Sequence, residues 1–125
     1  MFNGDIRETC MNVLVKYRFK EAIPYCAEYV RTMKQHGSED RIYRVMDTLK
    51  SYGAAAKSGL PELYKTRKYY PENLGPGKPL EVPKWALDKC MKGLNEGIKA
   101  IEEATDTPED LRTIKDYMEQ DANRK

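Results

Sequence analysis

Histidine occurs once in this sequence and cysteine three times, and that scarcity bears directly on chemistry. His36 falls in Lys34-Gln35-His36-Gly37, which reads as the last turn of a helix followed by a C′ glycine. A nucleophile–base pair would need Cys10, Cys26 or Cys90 to meet that histidine in space, and no spacing suggests it. The cysteines are odd in number and share no CxxC, which argues against a disulfide framework and a zinc site. Each lies on an apolar helical face and is expected to be core filler. Glu102-Glu103 and Glu109-Asp110 read as solvated charges on helix surfaces and starts. P-loop, GxGxxG, HExxH and EF-hand patterns are all missing. We therefore expect no catalytic residue, metal or cofactor, and no enzyme.

Long apolar runs are missing too. Nothing approaches the roughly 20 residues of a membrane span. The stretch MFNGDIRETC carries a charge at Asp5 and no apolar signal core. The expectation is no membrane association and a cytoplasmic location.

What is present describes a soluble single domain, 1–125, large enough to bury a core without staples. Net charge is +2, but residues 1–85 hold 15 Lys and Arg against 10 Asp and Glu, while 86–125 hold 7 against 10. A mildly basic body thus precedes an acidic section. That is weaker than the basic stripe of a dedicated nucleic-acid binder.

Helical periodicity dominates. Ile6, Cys10, Val13, Leu14 and Tyr17 share one face, with Asn3 or Asp5 to cap it. Phe19, Ile23, Cys26, Ala27 and Val30 repeat the pattern, with Pro24 in a first turn where its missing N–H is harmless. Ser38-Glu39-Asp40 opens a third helix with Ile42, Val45, Met46 and Leu49 inward, closing at Tyr52-Gly53. Residues 54–70 are broken around Gly59-Leu60-Pro61, with a helix expected from about Pro61 to Tyr69. Prolines and glycines make 71–82 a connector between N-terminal helices, 1–70, and a C-terminal helical hairpin, 83–125. Thr107-Pro108-Glu109-Asp110 reads as the start of the last helix, with Leu111, Ile114 and Met118 as its stripe. No strand pattern competes, so the fold class is all-α: a compact bundle of five to six helices.

Two features carry functional expectations. In the 83–104 helix, Ala86, Cys90, Gly93, Gly97, Ala100 and Ala104 form a heptad seam of small residues beside a large one, Leu87, Met91, Leu94, Ile98 and Ile101. Each glycine costs about 1 kcal/mol against alanine inside a helix, so a closely packed helix backbone should offset them. It belongs either to the bundle or to a homo-oligomer or partner helix lying in the 86–104 groove. The second feature is YKTRKYYPENLGPGKPLEVPKW, 64–85, which holds five bases and two acids. Its loop is long for a bundle, and such loops often carry function. Tyr64, Lys65, Arg67, Lys68, Tyr69, Tyr70, Lys78 and Trp85 make it a contact edge as well as a connector. Tyrosine beside Arg suits protein interfaces. It also suits stacking on unpaired bases.

Residues 17–30, YRFKEAIPYCAEYV, resemble the helix junction of tetratricopeptide-type repeats through Phe19, Ala22, Ile23 and Tyr29. The continuation to Gly37 is similar to the second helix of a pentatricopeptide repeat. The likeness covers residues 5–37, about one hairpin, and departs from the pattern at Tyr17 and Pro24. An echo at an offset of 35 pairs Asp5 with Asp40, Met11 with Met46, Leu14 with Leu49 and Tyr17 with Tyr52. The resemblance implies stacked helical hairpins and a groove, without a ligand. The functional expectation is a non-enzymatic interaction module with a protein partner, acting as adaptor, inhibitor or assembly factor. A nucleic-acid-binding accessory protein using 64–85 is the alternative.

Overall fold

The computed structural model describes residues 2–32 and 39–123, with side chains over 9–32 and 40–119. Among them are six α-helices: α1 (Phe2–Lys16), α2 (Ala22–Tyr29), α3 (Glu39–Lys50), α4 (Leu60–Asn73), α5 (Lys84–Glu103) and α6 (Ile114–Asn123). Turns of 3-10 helix follow α2 at Val30–Thr32 and precede α4 at Gly53–Gly59. No strand occurs among the described residues, only isolated bridges.

The strongest periodicity becomes the centre of the fold. Ile42, Val45, Met46 and Leu49 of α3 are all buried, as are Leu94, Ile98 and Ile101 of α5. Each such side chain contributes about 1.5–3 kcal/mol on leaving water. The two helices lie side by side and run the same way. Lys89 meets Asp40, Gly93 meets Tyr43, Gly97 meets Met46, and Ala54 bonds Asp106 just past both ends. Helix α4 packs on α5 in the opposite sense, with Tyr64 beside Glu102 and Leu87 beside Gly75. Two tyrosines are fully buried, and each hydroxyl donates to a backbone carbonyl: Tyr52 to Phe19 at 3.1 Å, and Tyr70 to Val30. Burial pushes the Tyr52 phenol up to about 12.

Several boundaries differ from the sequence reading. Helix α1 begins at Phe2, so Asn3 and Asp5 lie within the helix rather than ahead of it. Helix α4 runs through Pro71 to Asn73, and the connector starts at Leu74. A proline this near the end removes one N–H, while Asn73 Nδ2 donates to Tyr69 O at 3.0 Å and Leu74 N to Tyr70 O at 2.8 Å, covering the last carbonyls. The Thr107-Pro108 start is the larger correction, because 104–113 is non-helical. Tertiary bonds hold that segment out. Asp106 O accepts Ala54 N at 2.9 Å, and Arg112 pairs its backbone with Arg18 O and Lys20 N. Helix α6 instead starts at Ile114 behind a Thr113–Asp116 capping box, Asp116 N donating to Thr113 Oγ1 at 3.0 Å. The expected helix end at 34–37 and the start at Ser38 lie outside the described residues.

Candidate functional site

Helix α4 sorts the 64–85 segment by its 3.6-residue period. Leu63, Thr66 and Tyr70 turn inward, leaving Tyr64, Lys65, Arg67 and Lys68 outward. Most of the outward groups are engaged. Tyr64 Oη donates to Glu102 Oε2 at 2.6 Å, which raises the phenol, and the Arg67 guanidinium lies 4.9 Å over the same ring. Lys65 holds Glu62 at 3.2 Å, and Arg31 holds the same carboxylate at 2.9 Å. These two donors, Lys65 first, lower the Glu62 carboxyl. Lys68 and Lys78 are exposed, and Trp85 is 56% exposed in the first turn of α5. Tyr69 is half-buried. Tyr70 is the correction at this edge: it is a core residue, 0% exposed, and cannot meet a partner.

The small seam is filled from within the chain. Ala86, Cys90, Gly93 and Gly97 are buried, while Ala100 is exposed and Ala104 half-buried. What occupies the space at the glycines is side chain rather than helix backbone. A Cβ at Gly93 would stand 3.0 Å from the Tyr43 ring, and one at Gly97 would stand 2.3 Å from Met46 Cε. Those positions leave no groove there for a second helix.

The cysteines divide. Cys26 and Cys90 are buried, and burial pushes the Cys26 thiol up to about 12, which makes it a poor nucleophile. Cys10 is exposed, against expectation. The reason lies in α1, which turns Met11 into the core and leaves Val13 49% and Tyr17 45% exposed. The stripe read from Ile6 to Tyr17 therefore includes residues of an outward face.

That face opens onto a groove of about 530 Å³ that sequence reasoning missed. Helix α1 contributes Cys10, Val13 and Leu14, α2 contributes Pro24 and Tyr25, and Ile114 at the start of α6 closes one end. Glu21 lines it as well, its carboxylate oxygens accepting the Ile114 N–H at 3.1 and 3.2 Å. Beside it the Phe19 ring packs between Tyr17, at 6.1 Å, and Tyr117, at 5.7 Å edge-on. Met118 is 64% exposed on α6. The sequence signal was the Thr113-x-x-Asp116 box, which would have set α6 at Ile114.

No helix among the described residues is long and apolar enough to cross a membrane. Among those residues no group of three or more His, Cys, Asp or Glu side chains is placed to hold a metal ion. Models of known protein families, curated proteins and solved structures give no match to this chain.

Proposed function

We propose that the chain is a non-enzymatic helical interaction module, an adaptor, inhibitor or assembly factor, that receives an amphipathic helix of a protein partner in the α1–α2–α6 groove. The observation that carries this reading is the outward apolar stripe of α1. Cys10, Val13, Leu14 and Tyr17 are spaced i, i+3, i+4 and i+7, and three of them are exposed. Such spacing forms a ridge onto which another helix lays its own apolar face. Tyrosine and methionine beside the groove are residue types enriched in interface cores. A soluble chain gains nothing from leaving that stripe in water unless it is covered part of the time.

The test is affinity capture from source lysate with and without nuclease, comparing the parent chain with Val13→Asp and with Lys65, Arg67 and Lys68 all changed to alanine. A protein captured despite nuclease, lost in Val13→Asp and kept by the triple variant, supports the groove. Retention that vanishes with nuclease and in the triple variant would move function to the exposed bases of 64–85 and to nucleic acid.

A further inference from the structure

We propose that a second cleft, between α1, α2 and α3, binds a phosphate group through Arg41 and Arg44. It encloses about 260 Å³ and has Met11 and Val45 as its apolar lining, with Asn12, Tyr29, Arg41 and Arg44 as its polar one. That volume lies below the roughly 300–1,000 Å³ of sites for drug-sized ligands. The cleft therefore takes a small group rather than a whole cofactor.

The other arginines with described side chains are each engaged by a carboxylate or a ring. Arg18 holds Asp110 at 2.8 Å and Arg31 holds Glu62 at 2.9 Å. Arg67 and Arg112 lie over tyrosine rings, at 4.9 and 5.7 Å. Arg41 and Arg44 have neither kind of partner among the described residues. Arg41 Nη1 donates to Tyr29 Oη, at 3.2 Å. Three residues apart on α3, they share one face of the helix and line the same cleft. The described carboxylates of α3 are committed elsewhere. Asp47 is held by Lys50 at 2.9 Å, and Asp40, which feels the Arg44 charge, is held by Lys89 at 2.7 Å.

Two guanidiniums in one concavity, with no carboxylate in ion-pair contact among the described residues, match a dianion better than a single carboxylate. Each is a planar fork that pairs with two oxygens at once and stays charged at any physiological pH. The Asn12 amide supplies a further N–H donor at the α1 wall. The source of the phosphate is either the free ion or a phosphomonoester, and the chemistry recognised is the same.

Amide and arginine Nε signals of the full chain, followed by NMR, test this. Inorganic phosphate, phosphoserine and acetate are titrated at matched ionic strength, above the second phosphomonoester ionisation near pH 6. Saturating shifts at Asn12, Arg41, Arg44 and Val45 with either phosphate form are expected, and comparing the two forms identifies the source. Arg41→Gln or Arg44→Gln should each weaken the response about tenfold, the worth of one hydrogen bond to a charged group. Both side chains are exposed, so unchanged signals from Ile98 and Ile101 in the α5 core report that the variants remain folded. Equal shifts with acetate, or a double Gln variant that titrates like the parent, would overturn the proposal.

Discussion

Gly97→Ala isolates one contact between α5 and α3. In an open helix the change would stabilise by about 1 kcal/mol, through lower backbone entropy in the unfolded chain. Here the added Cβ would lie 2.3 Å from Met46 Cε, 3.0 Å from its Cβ and 3.3 Å from its Cγ. The methyl end can swing aside, but the Met46 Cβ moves only with α3 itself. Overpacking of this kind costs roughly 1–3 kcal/mol, so the net effect should be a loss of about 0–2 kcal/mol. For a chain of this size that lowers the melting temperature by roughly 4 °C per kcal/mol. The deciding measurement is a double-mutant cycle by urea unfolding. Met46→Ala alone should cost about 2–5 kcal/mol. In that background the Cγ and Cε contacts are gone and only the Cβ contact at 3.0 Å remains, so Gly97→Ala should be less costly than in the parent chain. At Gly93 the obstruction is the ring of half-buried Tyr43, which can tilt outward, so Gly93→Ala should be closer to neutral. A Gly97→Ala chain that gains the full helix-propensity increment while Met46 is intact would refute close packing at this seam.

Gly53→Ala should be the harsher glycine substitution. The residue has φ +59 and the new Cβ would fall 2.3 Å from the Asp106 carbonyl oxygen, so left-handed strain and loss of the Ala54–Asp106 bond combine to about 2 kcal/mol or more, read as a urea midpoint shift. A thiol reagent should label Cys10 rapidly in the native protein, and Cys26 and Cys90 only on unfolding, as mass spectrometry of quenched samples would show. Asp40, Glu62 and Asp110 all have carboxyls lowered by basic partners, foremost Lys89, Lys65 and Arg18. Their stabilisation is therefore complete above the unfolded values near pH 4 and is lost as pH falls through the lower folded values. Arg18→Ala should shallow that acid limb of a melting-temperature–pH curve, and an unchanged limb would remove Asp110 from the explanation.

The legible part of the fold was the part whose local and tertiary preferences agree. Ile42, Val45, Met46 and Leu49 share a face and have α5 beside them to bury it, so periodicity alone places α3. Helix α1 was misread because it has apolar residues on two sides. Periodicity finds a stripe but cannot say whether the chain supplies a partner for it, and here the core takes Met11 while Val13 stays out. Tyr70 failed for a related reason. A tyrosine among bases looks like an exposed one, and only the position of the Val30 carbonyl, 40 residues away, gives its hydroxyl a buried acceptor. The start of α6 failed because the Thr107-Pro108 cap competes with bonds from the distant residues Ala54 and Arg18, and those bonds win.

Arg18 connects these corrections to the groove. It has φ 57, a conformation costing a non-glycine residue roughly 1–2 kcal/mol. Gly53, 35 residues on, has the same handedness after α3, and Tyr17 and Tyr52 precede the two. A glycine at 18 would relieve the backbone but lose what the side chain holds: Asp110 at 2.8 Å, the Ser51 hydroxyl and carbonyl at 3.0 Å each, and the Tyr52 ring 4.8 Å away. Its own carbonyl accepts Arg112 N at 3.1 Å, and Lys20 N donates to Arg112 O at 2.8 Å. One residue after Arg112, Thr113 caps α6, and Ile114 then closes the groove. The strained corner thus fixes where α6 begins, and with it the end wall of the groove between α1 and α2. Among the described residues, α6 is tied down at its N-terminal end, through Glu21, Phe19 and that backbone pair. A partner helix entering between Val13 and Tyr25 would therefore meet a wall positioned by the α1–α2 corner, which Ser51 and Tyr52 at the end of α3 hold in turn.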